Sequence, residues 1–201
     1  MGVRVSLSIG FMAVFISNLI GIILGLVSGY YGGYLDKIIV WIINVFWSIP
    51  TLLLVIALSL VLGKGFWQVY IAIGLSIWVD VARLVRGKVM SEKNKDYVFA
   101  SKVLGYDDFK ILLNNILPNI LAPILILSAA NFASSILLES GLSFLGIGSQ
   151  PPTPSWGYMI KENYQYIIFG NSYLIVIPSL FLISLVLSFY YLSNYFASKN
   201  I

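Results

Sequence analysis

Long apolar stretches alternate with short polar ones along most of this chain. Residues 6–31, "SLSIGFMAVFISNLIGIILGLVSGYY", carry no charge, and neither do residues 38–62, "IIVWIINVFWSIPTLLLVIALSLVL". About 20 apolar residues suffice for a helix to cross the hydrocarbon core of a bilayer. A third run, 66–85, ends in charge, and two more cover 118–138 and 173–195. The pattern predicts an all-α, polytopic helical bundle of five membrane spans, forming one domain over 1–201. Between the spans lie a polar loop at 86–117 and a segment at 139–170.

Composition sharpens the class. With 59% hydrophobic and 10% charged residues, the chain lacks the polar surface of a soluble domain of its size. Cysteine and histidine are both absent, which excludes disulfides, thiol chemistry and the usual soft or imidazole metal sites. The first run is longer than a signal-peptide core and lacks a cleavage site, so it reads as a span. No Gly-x4-Gly-Lys-Ser/Thr phosphate loop occurs. ATP chemistry, if the protein uses it, belongs to another polypeptide.

The net charge of +4 describes orientation rather than nucleic-acid binding. Seven of the twelve basic residues fall between 83 and 110: Arg83, Arg86, Lys88, Lys93, Lys95, Lys102 and Lys110. The positive-inside rule assigns that loop to the cytoplasm. Residues 32–37 and the C-terminus follow it inside, and 63–67 and 139–170 lie outside. Met1 then falls outside with Arg4 beside it, which leads us to expect a further span before this one.

The loop itself has helical punctuation. Asp96 is expected to N-cap a short helix whose Tyr97, Ala100, Ser101 and Leu104 share one face by i, i+3, i+4, i+7 spacing. That face, small at Ala100 and Ser101, would admit a partner backbone, and Lys93 would lie off it. Gly105 stands where a left-handed residue ends a helix. Asp107 and Asp108 place charge at the start of the next helix, and Pro118 is expected to bend it into the fourth span.

Other features carry structural expectations. Ala13, Ser17, Gly21, Gly25 and Gly29 recur every four residues, a stripe suited to close packing on a neighbouring span of the same subunit. Pro50 and Pro178 should kink their spans. Asp80 is expected to pair with Arg83 at the interface. Glu139 should lie at the outer boundary, as a cap or against a cationic solute. The stretch "GSQPPTPSWGY" reads as a rigid turn, with Trp156 as an interfacial anchor.

Two blocks resemble a known family. "YVFASKVLG" followed by "ILPN" (116–119) resembles the coupling loop of ABC importer permeases. "LLESGLSFLGIGSQPPTPSWGYMI" (137–160) resembles the dipeptide, oligopeptide and nickel branch, within it the second of two permease types. "GVRVSL" (2–7) and "ARLVRGKVM" (82–90) match the same branch. The resemblance implies a non-catalytic subunit with six spans in the family and five here. It implies a second homologous permease, two ATPase subunits that bind ATP and Mg, and an extracytoplasmic binding protein for a peptide, nickel or similar solute. The coupling loop would use Asp96, Tyr97, Ala100, Ser101, Leu104, Gly105, Asp107 and Pro118. The external motif would use Glu139, Gly146, Pro151, Pro152, Trp156 and Gly157. Phe99 replaces the family's acid and Asn115 its common histidine, and the tail lacks the Gly-Asp and Asp-Pro pattern. An ion-coupled carrier or channel is the alternative, but its spans would need midplane ionisable groups that these largely lack.

Overall fold

The structure is a computed structural model that describes residues 2–63, 65–149, 155–167 and 171–199, the side chain of Lys199 excepted. Among these residues every regular element is helical. In chain order they are α1 (Gly2–Tyr31), α2 (Gly33–Trp47), α3 (Thr51–Leu62), α4 (Phe66–Glu92), α5 (Asp96–Val103) and α6 (Asp108–Lys110). A π-helical turn (Ile111–Ile116) leads into α7 (Leu117–Leu145). Then come α8 (Trp156–Asn163), a 3-10 turn (Tyr164–Ile167) and α9 (Tyr173–Lys199). Four helices among the described residues are long and apolar enough to span a membrane: α1, α4, the continuous Asp108–Leu145 and α9. The bent pair α2–α3 is a fifth if it counts as one span.

The run 38–62 is therefore not the single straight helix its composition suggests. α2 and α3 meet at 92° across residues 48–50. Pro50 stands at the N-cap position of α3 in an extended conformation, φ −54° and ψ 126°. Without an N–H, and clashing with the turn before it, proline ends α2 outright rather than kinking it. Pro178 differs, because α9 continues through it.

The small-residue stripe decides how α1 and α4 pack. Ala13, Ser17, Gly21, Gly25 and Gly29 are all buried. A Cβ on Gly29 would stand 2.8 Å from both Val89 Cβ and the Arg86 carbonyl oxygen. Gly21 and Gly25 face Val81 and Val85 in the same manner. Gly74 of α4 returns the contact against Ala13, whose carbonyl oxygen lies 2.9 Å from its would-be Cβ. Two backbones touch along a seam of glycine and valine, within one chain.

Beyond that seam the core has two ends. Val85, Val89, Val98, Ile111, Ile116 and Ile120 form a cluster at the basic end, joining α4, α5 and α7. Ile9, Val55, Val69, Ile73 and Leu142 form another at the opposite end. α9 leans on α7 and leaves most of its apolar surface exposed.

Candidate functional site

The polar loop at the basic end is built from the ends of four helices. Lys95, extended at φ −86° and ψ 151°, is the N-cap of α5, and its carbonyl accepts from Val98 N–H at 3.0 Å. Asp96 is thus the first helical residue and not the cap, and no side chain caps α5 among the described residues. Its charge still sits at the positive end of the helix. The start is secured instead by Glu92, which accepts from Lys95 Nζ and from the Tyr97 hydroxyl, both at 2.7 Å. Burial, with the Glu92 carboxylate beside it, pushes the Tyr97 phenol up to about 12.

The other end of α5 closes on Gly105, whose φ is +79°. Gly105 N–H bonds to the Lys102 carbonyl at 3.0 Å and Tyr106 N–H to the Ser101 carbonyl at 3.1 Å. These are the two bonds of a Schellman motif.

α5 is rolled differently from the face read in the sequence. Val98 is fully buried and Ser101 is 5% exposed, so the stripe 97–98–101 turns inward. Ser101 Oγ donates to the Tyr97 carbonyl at 2.8 Å and accepts from Asn115 Nδ2 at 2.6 Å. A partner cannot reach Ser101. Residues lie 100° apart around a helix, so burying Val98 and Ser101 sends Ala100 and Val103 to the opposite side. Val103 is 87% exposed, Leu104 72% and Phe109 68%, with Phe99 and Tyr106 beside them. Ala100 and Leu104 stay on the outer face, and Tyr97 and Ser101 leave it. Phe99 joins it, although the sequence marks Phe99 only as a missing acid.

The loop is braced to the bundle. Asp107 is the extended N-cap of α6, and Asp108 accepts from the Tyr30 hydroxyl at 2.6 Å. Lys93 Nζ donates to the carbonyls of Gly29 (2.9 Å) and Tyr30 (3.3 Å), satisfying the last turn of α1. Lys93 is therefore a tie between elements rather than a bystander. Arg86 grips Asp36 with two bonds of 2.6 and 2.8 Å, and the Ser28 hydroxyl donates to the same carboxylate. Pro118 does not start a new element: the helix runs unbroken from Asp108 to Leu145. The wider π turn ends just before Pro118, where a backbone N–H is missing.

At the opposite end, Glu139 lies inside α7 with no exposed surface. It accepts from Ser143 Oγ at 2.6 Å and from Ser149 Oγ and Ser6 Oγ, each at 3.4 Å. Ser155 Oγ donates to Ser143 Oγ at 3.1 Å, and Ser155 also caps α8 by accepting from Tyr158 N–H at 3.2 Å. The acid neither caps the boundary nor faces a solute. It ties α1, α7, the following turn and α8 together. Trp156 is buried, stacked near Phe181 with centroids 6.5 Å apart, so it is a core residue and not an interfacial anchor. Gly157 lies on the Ser140 backbone with no room for a Cβ. Gly146 ends α7 at φ +83° with the Lys161 ammonium packed against it. Pro151 and Pro152 lie outside the described residues.

Asp80 also departs from expectation. Among the described residues it forms no ion pair with Arg83; it accepts from Trp47 Nε1 at 3.3 Å. The Arg83 guanidinium lies 3.7 Å above the Trp47 ring.

A family model described as the binding-protein-dependent transport system inner membrane component matches residues 21–200. The chain belongs to that family. It is accordingly a multi-pass membrane protein. It is 39% identical over 181 residues to the dipeptide transport system permease protein DppC of Bacillus subtilis, covering 90% of this chain and 57% of that protein. It is 36% identical to the oligopeptide permease OppC of the same organism, covering 80% and 53%. It is 38% identical to the glutathione transport permease GsiD of Escherichia coli, covering 94% and 62%. The chain thus spans little more than half the length of these relatives. The fold matches a solved inward-facing structure of the MetNI methionine ABC transporter at a TM-score of 0.79 and 18% identity. That match covers 98% of this chain and 94% of the other.

Proposed function

We propose that this family member is a permease subunit of an ATP-driven importer of dipeptides or short oligopeptides, forming half of the pathway with a second permease. Two separate ATPase subunits hold ATP and Mg, and this chain contributes no catalysis. A binding protein delivers solute at the end of the bundle that carries α8, with the basic end in the cytoplasm. Relatives named as dipeptide and oligopeptide permeases support the substrate class.

One observation carries the coupling role. The turn at Gly105 is tied to α1, α4 and the π turn, yet presents Phe99, Val103, Leu104, Tyr106 and Phe109 outward. Several large apolar side chains exposed together on a polar loop mark a partner site, and a short helix laid in a groove is a common way to fill one. Closure of the ATPase pair on ATP would push this rigid knob and shift the spans between inward-open and outward-open states.

Val103→Glu tests it in the assembled transporter. Because the side chain points away from the bundle, the protein should still insert. ATPase subunits should be lost on mild purification and ATP-driven peptide uptake should fall. Asn94→Ala, exposed on the same loop and bonded among the described residues only to the Met90 carbonyl, should change neither. Retention of the ATPase and full uptake in Val103→Glu would remove the coupling role.

A further inference from the structure

An acid stands beside the break in the second apolar run. α2 ends at Trp47, whose Nε1 donates to Asp80 of the span α4 at 3.3 Å, so residues 48–50 lie at the level of Asp80. Asp80 is fourteen residues into α4, roughly 21 Å from its start at Phe66. Non-helical backbone at such depth is tolerated only under protein cover or along a water-filled cavity. Here Trp47 and residues 48–53 are exposed on the surface of the chain, so this face lines either a cavity or another subunit.

Its chemistry distinguishes the two. The recess is polar, about 150 Å³, and lined by Pro50, Thr51, Ser76 and Asp80 among others. Among the described residues the Asp80 carboxylate receives one neutral hydrogen bond, from Trp47, while Arg83 is engaged on the Trp47 ring. An ionised carboxylate accepts about four hydrogen bonds, so most of its capacity faces the recess. Burying it dry against another apolar surface would be costly, with Arg83 held on the Trp47 ring rather than paired with the carboxylate. A water-filled pathway carrying cationic groups removes that difficulty. A recess of this size admits a small cationic group rather than a whole peptide.

We propose that Asp80 and the break at 48–51 form a solute subsite that takes the ammonium end of a peptide in transit. This rests on the peptide-importer reading above.

The test uses the complete transporter in proteoliposomes, with alanyl-alanine uptake measured at saturating binding protein. Asp80→Asn keeps an oxygen for Trp47 Nε1 and removes only the charge. Asp80→Glu keeps the charge. The expected result is a loss of about tenfold or more in uptake per ATP for Asp80→Asn, the scale of one charge-assisted hydrogen bond. Asp80→Glu should recover most of it. Wild-type uptake in Asp80→Asn overturns the subsite alone. So does an equal loss in both variants, because shape and not charge would then matter. A wild-type complex that hydrolyses ATP without moving peptide overturns the importer reading and the subsite with it.

Discussion

Glu139 shows how much one residue can organise and how little of that is visible locally. Its partners Ser6, Ser143, Ser149 and Ser155 are spread over 150 residues of chain, and only Ser143 sits at a helical spacing from it. Serines scattered through apolar sequence read as small packing residues, so the cage emerges only when α1, α7 and α8 meet. Glu139→Leu would leave the donors facing hydrocarbon, at roughly 1–3 kcal/mol for each one that finds no other acceptor. Glu139→Gln retains an acceptor. We predict a large fall in thermal midpoint in detergent for the leucine variant and a small one for glutamine. Equal midpoints would mean that the cage holds nothing together. Lys93 is a similar case on the basic loop: charge alone cannot reveal that its ammonium reaches the end of α1. Lys93→Ala should destabilise by about 0.3–1 kcal/mol, as expected for a cation at a helix C-terminus, measurable as a modest shift in the same assay.

At the scale of elements, spacing was readable wherever one helix sets its own pattern. The stripe Ala13 to Gly29 announces a close helix contact, but its partner row of Val81, Val85 and Val89 looks like any apolar span until the two are laid together. Gly25→Ala would put a Cβ 2.6 Å from Val85 Cβ and 2.8 Å from the Ala82 carbonyl oxygen, so the helices must separate. Overpacking of that kind costs about 1–3 kcal/mol, and Gly25→Leu should prevent stable insertion, seen as degradation of the expressed chain. Normal accumulation of Gly25→Leu would mean that α1 and α4 do not pack this way. The face of α5 is not legible in the sequence for a related reason. Eight residues allow several rolls about the axis, and tertiary contacts of Val98 and Asn115 choose among them. The break at Pro50 was legible as a disturbance, but not its size, because the angle depends on how α3 packs against α4 once the hydrogen-bond ladder is cut.

For the whole molecule, the significant property of the basic end is that it is stiff. Tyr30 to Asp108, Lys93 to α1, Arg86 to Asp36 and Asn115 to Ser101 join the loop to several spans at once. A push on Phe99, Val103 or Leu104 therefore reaches α1, α4 and α7 together, provided that the turn between α5 and α6 keeps its angle. Gly105 sets that angle at φ +79°, with open space around it, so backbone conformation and not room limits what can replace it. Valine in a left-handed conformation costs on the order of 1–2 kcal/mol, whereas asparagine tolerates it. Gly105→Val should keep its place in the membrane, since the residue lies in no span, and lose most ATP-driven uptake. Gly105→Asn should transport near the wild-type rate. Measuring uptake per ATP hydrolysed separates a misaligned coupler, which lowers the ratio, from a poorly folded one, which lowers both terms together. If Gly105→Val transports as well as Gly105→Asn with the same ratio, the spans are not driven through this turn.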